Sequence, residues 1–199
     1  MRCGKFPIAL LVVAQVAQSA AAYEYPLSSS AVREAYFLGS RKDEKTTEFL
    51  AQYVRRFPLP ASGPHVAEIE VRTPLQQVVK RAKDALPGYS AFQAQKEYQA
   101  NPDRIVVRVR VYLTPTYGSY NRPKDFWHDF KISVAHHDAL EPKKVTSDPQ
   151  YSIGIGDLIG AEVLLEFDTS QIASELLRIE VRTPDGQVVT TEFDLRKLR

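Results

Sequence analysis

From Arg104 to Leu113 the chain alternates strictly: Ile105, Val107, Val109, Val111 and Leu113 interleave with Arg104, Val106, Arg108, Arg110 and Tyr112. A period of two puts the two sets on opposite faces of an extended strand, one toward a core and one away from it. The same rhythm appears at Ala67, Ile69, Val71 and Thr73, set against Glu68, Glu70 and Arg72. It returns in Phe126 to His136 (Phe126, Phe130, Ile132 and Val134 on one face), in Gly160 to Asp168, in Leu177 to Thr183 and in Val189 to Leu195. With a weaker candidate at Lys143 to Ser147, six or seven short strands are expected. Half-buried alternating strands joined by turns predict antiparallel sheets.

Helical rhythm fills the gaps. Ala31 to Gly39 predicts a short helix, and Ser40 with Asp43 reads as a capping box opening a second one. In that second helix Phe49, Leu50, Tyr53, Val54 and Phe57 form one stripe, closed by Pro58. "LPASGP" then reads as a linker. Thr73 is a natural N-cap and Pro74 suits a first helical turn, with Leu75, Val78, Val79, Ala82 and Leu86 as the apolar stripe before Pro87-Gly88. Ser90 with Gln93 caps a further helix through Gln99.

One phrase occurs twice. Ile69 to Val79 reads IEVRTPLQQVV and Ile179 to Val189 reads IEVRTPDGQVV, identical at nine of eleven positions. Similarity stops at the edges of this window, so a duplicated domain is not indicated. Leu75-Gln76 continue a helical stripe after Pro74, whereas Pro184-Asp185-Gly186 is a turn signal. The phrase therefore predicts one strand used twice, followed by a helix in the first copy and a hairpin in the second.

The first residues change the setting. Arg2 and Lys5 precede an apolar run of twelve residues from Phe6 to Ala17, followed by small residues to Ala22. That is the layout of a secretory signal peptide, residues 1–22, cleaved near Ala22. The run is shorter than the roughly 20 residues that span a bilayer, so no membrane span is expected after cleavage. Removing the leader takes the single cysteine with it and leaves 24 basic against 24 acidic residues. A mature chain of zero formal charge exerts no long-range pull on nucleic acid. A cysteine-free secreted chain without an Asn-X-Ser/Thr acceptor points to a bacterial secreted or periplasmic protein.

Candidate chemistry is thin. His128 and His136 would sit about 26 Å apart on a strand, and the adjacent His136 and His137 would face opposite ways, so no metal set is expected. Gly154 to Gly160 (GIGDLIG) lacks the spacing and the following helix of a phosphate cradle and predicts a turn into a strand. No serine elbow is present. The carboxylates Glu68/Glu70 and Glu162/Glu166 lie opposite the apolar sets, where Arg104, Arg108, Arg110, Arg178 and Arg182 would meet them across strands. No catalytic residue and no cofactor is assigned. The connection from Thr114 to Trp127 carries Tyr117, Tyr120, Arg122 and Lys124 and ends at Trp127; tyrosine and arginine on a loop between strands are recognition chemistry, and these five are the candidate binding residues.

The expected fold is mainly β (α+β): an immunoglobulin-like antiparallel β-sandwich over 63–199, with a helical insertion at 74–99 between its first two strands. An N-terminal helical segment and linker, 23–62, precedes it. The expected function is a non-enzymatic binding or structural module of a bacterial cell envelope whose partner is a protein or glycan. The alternatives are a hydrolase or carbohydrate-active enzyme using surface carboxylates, and an accessory subunit of a secretion or surface complex, which predicts an exposed apolar patch on the helices.

Overall fold

The structure is a computed structural model, and it describes residues 25–60, 62–101, 103–114, 125–154, 156–172 and 176–198. The leader and the residues Tyr117, Tyr120, Arg122 and Lys124 lie outside the described residues.

Among the described residues the protein is mainly β, with two antiparallel sheets and four α-helices in a sandwich-like arrangement. Helices α1 (Ser29–Ser40) and α2 (Glu44–Ala51) come first, then strands β1 (Val54–Arg56) and β2 (Pro64–Arg72). Helices α3 (Pro74–Asp84) and α4 (Ala91–Ala100) follow, then β3 (Arg104–Leu113), β4 (Lys131–His136) and β5 (Asp138–Leu140). The chain closes with β6 (Lys144–Tyr151), β7 (Leu158–Asp168), β8 (Leu176–Arg182) and β9 (Val188–Asp194). One sheet runs β1-β2-β3-β7-β6 and the other β5-β4-β8-β9.

The alternation read from β3 is the organising fact. Val109 pairs with Ile69 on one side and Val163 on the other, and all three are buried. Their face meets Val134, Ile179, Val181 and Phe193 of the second sheet in one continuous core. That core also takes in Val32 and Ala35 of α1 and Val78 and Val79 of α3. Helix α1 comes so close to α3 that a Cβ on Gly39 would run into the Val79 carbonyl oxygen and lie 2.8 Å from the Ala82 methyl. Only glycine permits that approach.

The paired phrase behaves as its two differing residues dictate. Gln77 to Val79 are helical within α3, where the Thr73 hydroxyl accepts from the Gln76 N–H and Pro74 starts the first turn. In the second copy Gly186 takes φ +87°, Gln187 closes the turn onto Thr183, and Val188 begins β9. The Ser90–Gln93 capping box of α4 also forms as expected.

Several local readings are corrected. Ser40 is the last residue of α1, its hydroxyl donating to the Phe37 carbonyl, and Asp43 caps α2 instead. Helix α2 ends at Ala51, because Val54 to Arg56 pair with Glu68 to Glu70 as an edge strand; the stripe through Phe57 mixed two elements. Leu86 lies beyond α3 and is 84% exposed, since Ala85 has already turned extended. Phe126 to Asp129 form a 3₁₀ turn, not a strand. A spacing of four fits a helical turn as well as a strand, and Phe126 and Phe130 are both buried by it. Strand β7 begins at Leu158, two residues before the expected start at Gly160, and the Tyr112 ring of β3 lies over Gly160 and leaves no room for a side chain.

Candidate functional site

Two charged regions flank the same sheet. The first occupies the face opposite the core. Because Arg110 pairs with both Glu68 and Glu162 while Arg108 pairs with Glu70, the polar residues of β2, β3 and β7 line up in rows of opposite charge. The Arg108 guanidinium reaches three carboxylates, with Nε 2.6 Å from Glu70, Nη1 2.8 Å from Glu162 and Nη2 on Glu68. Arg110 adds a second contact to Glu162 at 2.7 Å, Arg72 holds Glu70 at 3.0 Å and Arg56 holds Glu68 at 3.1 Å. Gln76 of α3 donates to Glu70 at 2.9 Å. The centre is dry: Glu70 is 4% exposed and Arg108 9%.

Burial by itself would raise Glu70, but the charges of Arg108 and Arg72 outweigh it and hold the carboxyl below its ordinary range. For Glu162 burial likewise works upward, and is outweighed by the Arg110 hydrogen bond and the Arg108 charge. Carboxylates held ionised in this way are poor proton donors near neutrality. The expectation that cross-strand arginines meet Glu68, Glu70, Glu162 and Glu166 holds for Arg104, Arg108 and Arg110. It does not hold for Arg178 and Arg182, whose contacts at 3.8 and 3.7 Å are to Glu180 on their own strand.

The second region is open. Where α4 ends and β3 begins, a cleft of about 570 Å³ lies between the N-terminal segment at Tyr25-Pro26 and the ends of β6 and β7. A second hollow of about 220 Å³ runs on beneath α3 and α4, and Tyr98, Asn101, Asp103 and Arg104 line both. The two make one groove. Its polar groups come from loop and strand ends: Arg104 contacts Glu166 at 3.1 Å, and Asp168 accepts from the Ser170 N–H and hydroxyl. The Tyr98 hydroxyl accepts from the Leu27 N–H at 2.8 Å, tying the N-terminal segment to α4. Burial pushes the Tyr98 phenol well up, and the neighbouring Asp103 carboxylate adds to the rise. Asp103 Oδ1 is covered yet has no hydrogen-bond partner among the described residues. With no open surface of its own, that oxygen is shielded from the cleft, and the Tyr98 phenol is the polar neighbour of the Asp103 carboxylate.

Of the five candidate binding residues only Trp127 is described. It is half-buried in the 3₁₀ turn, packed edge-on against Phe126 with ring centroids 5.9 Å apart, so its ring serves the core rim. The described lining of the groove does not include Trp127, and apart from Arg104 and Glu166, read only as cross-strand ion partners, its residues went unremarked in the sequence. The signal was Asn101-Pro102-Asp103, a turn cluster wedged between Tyr98 and Arg104.

The histidines also differ from expectation. His137 sits in the tight turn between β4 and β5 with φ +63°, which brings its ring to 4.8 Å from that of His136 instead of across the sheet. Among the described residues no group of three potential ligands gathers for a metal. His65, 4% exposed beside the Tyr112 ring, has neither ring nitrogen hydrogen-bonded among the described residues, and burial pushes its imidazole below its ordinary value. Among the described residues no helix is long and apolar enough to cross a membrane. Neither a protein-family model nor a curated protein sequence matches this chain.

Proposed function

We propose that the chain is a non-enzymatic binding or structural module of a bacterial cell envelope, secreted or periplasmic once residues 1–22 are removed. In this reading an immunoglobulin-like sandwich over 63–199 is the scaffold, the helices of 74–99 are an insertion in it, and the ligand is a protein or glycan of the envelope. The observation that carries the reading is the groove: a polar cleft lined by Tyr98, Asn101, Arg104, Lys143 and Glu166, built where three elements end on a rigid sheet. The Arg108 network supports it from the other side. Glu68, Glu70 and Glu162 are engaged by arginines and are poorly suited to acid–base work.

The test is retention by envelope material. The mature chain is expected to co-sediment with isolated bacterial sacculi or membrane fractions, and Arg104→Ala is expected to release it while its circular dichroism stays unchanged. A chain that remains in the supernatant with every fraction overturns the reading.

A carbohydrate-active enzyme is the second reading, favoured by one observation: Asp103, Glu166 and Asp168 line the same cleft. Glycoside hydrolysis needs two carboxylates in distinct roles. Here Glu166 is engaged by Arg104, and Asp168 caps the turn at Ser170. The accessory-subunit alternative draws on Phe37, Leu86 and Phe92, which are 51%, 84% and 78% exposed on the helical side of the molecule.

A further inference from the structure

The helical side of the molecule carries a surface that the groove does not explain. We propose that the turn between α3 and α4, with the outer faces of α1 and α4, docks onto an anionic lipid bilayer as a peripheral contact. It is a different surface from the groove, and it stands or falls apart from the binding reading.

The first argument is projection. Leu86 and Phe92, on either side of Pro87-Gly88, are 84% and 78% exposed. Gly88 takes φ +96°, and a Cβ there would meet nothing within 4 Å, so the turn stands clear of the rest of the fold. Aromatic rings link it to α1: the half-exposed Phe37 ring lies 5.3 Å from Tyr36, and Tyr36 lies 6.0 Å from Tyr89. The turn is also pinned. The Tyr36 hydroxyl donates to the Tyr89 carbonyl at 2.9 Å, and Lys42 Nζ donates to the Ala85 carbonyl at 3.2 Å. A partner helix would need an apolar trough to lie in, and the hollow beside Leu86 is only about 170 Å³. Apolar side chains that project from a pinned turn suit a soft medium that closes around them.

The second argument is charge. Arg33, Lys42, Lys83 and Lys96 have no carboxylate partner among the described residues. Of the carboxylates on α1, α3 and α4, Asp84 is paired with Lys80 and Glu97 with Arg81, which leaves Glu34. This side is therefore locally basic, although residues 23–199 hold 24 basic and 24 acidic residues. Arg33 lies over the Phe37 ring at 5.7 Å, and Lys96 follows Phe92 by one turn of α4. Each exposed ring has a cation beside it. Long basic side chains keep their heads at a polar interface while their stems and the rings go deeper. Anionic headgroups attract such cations at short range, within about 8–10 Å at ordinary salt.

Vesicle flotation of the mature chain tests this, with phosphatidylglycerol mixed into phosphatidylcholine in one set and phosphatidylcholine alone in the other. Binding to the anionic vesicles is expected, weakened as salt is raised, with little to the neutral ones. Leu86→Ser with Phe92→Ser is expected to weaken it about tenfold or more, with circular dichroism unchanged because both side chains lie outside the core. Arg33→Glu with Lys96→Glu is expected to do the same through charge, and Arg33→Lys with Lys96→Arg to retain binding. Absence of flotation with anionic vesicles overturns the proposal. So does equal binding to neutral vesicles, or flotation that ignores both pairs of substitutions. Sedimentation velocity gives a further outcome: a dimer that Leu86→Ser with Phe92→Ser breaks, without flotation, assigns the surface to a second copy instead. Tighter binding of a synthetic amphipathic helix of Glu and Leu than of vesicles assigns it to a protein, as the accessory-subunit alternative has it, and overturns the lipid. Sacculi hold no lipid, so retention there through Arg104 reads the groove alone, and either reading can fail without the other.

Discussion

Ile69–Val79 and Ile179–Val189 share nine of eleven residues and share almost none of their surroundings. In the first copy Glu70 is enclosed by Arg108, Arg72 and Gln76 and is 4% exposed. In the second, Glu180 stands opposite Ser133 on β4 and Thr190 on β9, and its arginine contacts among the described residues are the long ones to Arg178 and Arg182. The letters are the same, and the neighbouring strand decides what they are worth. Thr73 and Thr183 diverge in the same way. Thr73 caps a helix through the Gln76 N–H, while Thr183 hydrogen-bonds Asp185 and receives the Gln187 N–H to close a turn.

The largest test of that contrast removes the cross-strand partner. Arg108→Ala strips three carboxylates of their shared cation, two of them 8% and 4% exposed. Breaking a buried ion pair from one side costs about 3–5 kcal/mol, because a charge is left uncompensated in a dry place. Glu180→Ala, at a half-exposed site with only loose pairing, is expected to stay within about 0.5 kcal/mol. Urea unfolding of both variants reads the difference. Equal losses would mean that the network does not set the two copies apart.

The contrast also marks how far the sequence carries. Period-two alternation in Arg104 to Leu113 and in the repeat identified the strands of the core, because burial on one face leaves a direct imprint on residue order. The arginine–carboxylate rows were legible for the same reason, although their depth was not. Burial of Glu68 and Glu70 depends on which strands lie side by side, and β3 bridging β2 and β7 is a non-local fact. Short edge strands such as β1 and β5, of three residues each, leave too little pattern to find. The groove was invisible for a related reason. Tyr25, Asp103, Lys143 and Glu166 come from four separate stretches, and only the folded sheet ends bring them together.

The second test exchanges the two residues that separate the copies. Leu75→Asp with Gln76→Gly plants the turn signal in the first copy. It removes the Gln76 hydrogen bond to Glu70 and puts a glycine in the first turns of α3. A lost hydrogen bond to a charged group and a helical glycine together cost about 3 kcal/mol. The reverse exchange, Asp185→Leu with Gly186→Gln, asks a side chain to take φ +87° and deletes the Thr183–Asp185 contact, for about 1–2 kcal/mol. Both are measured by thermal or urea unfolding. If planting the turn signal in the first copy proves harmless, the two residues are not what separates helix from hairpin.

The smallest effect is the pH dependence that Glu70 confers. Its carboxyl is held below the ordinary value of 4.5 in the folded protein, because the charges of Arg108 and Arg72 outweigh the upward push of burial. A group depressed on folding contributes stability that is fully present above its unfolded value and is lost as pH falls through the folded one. The wild type is therefore expected to lose stability on the acid side of 4.5, beginning as Glu70 starts to take up its proton. Glu70→Gln removes that titration while keeping the shape and a hydrogen-bond acceptor for Gln76. Its stability is lower near neutrality, and its curve falls less steeply in acid. Glu162, also held low by Arg110 and Arg108, remains in the variant, so the acid limb flattens without disappearing. Unfolding midpoints measured from neutrality down to about pH 3 decide it. Parallel curves for wild type and Glu70→Gln would show that the arginines around Glu70 leave its proton affinity as it is in the unfolded chain.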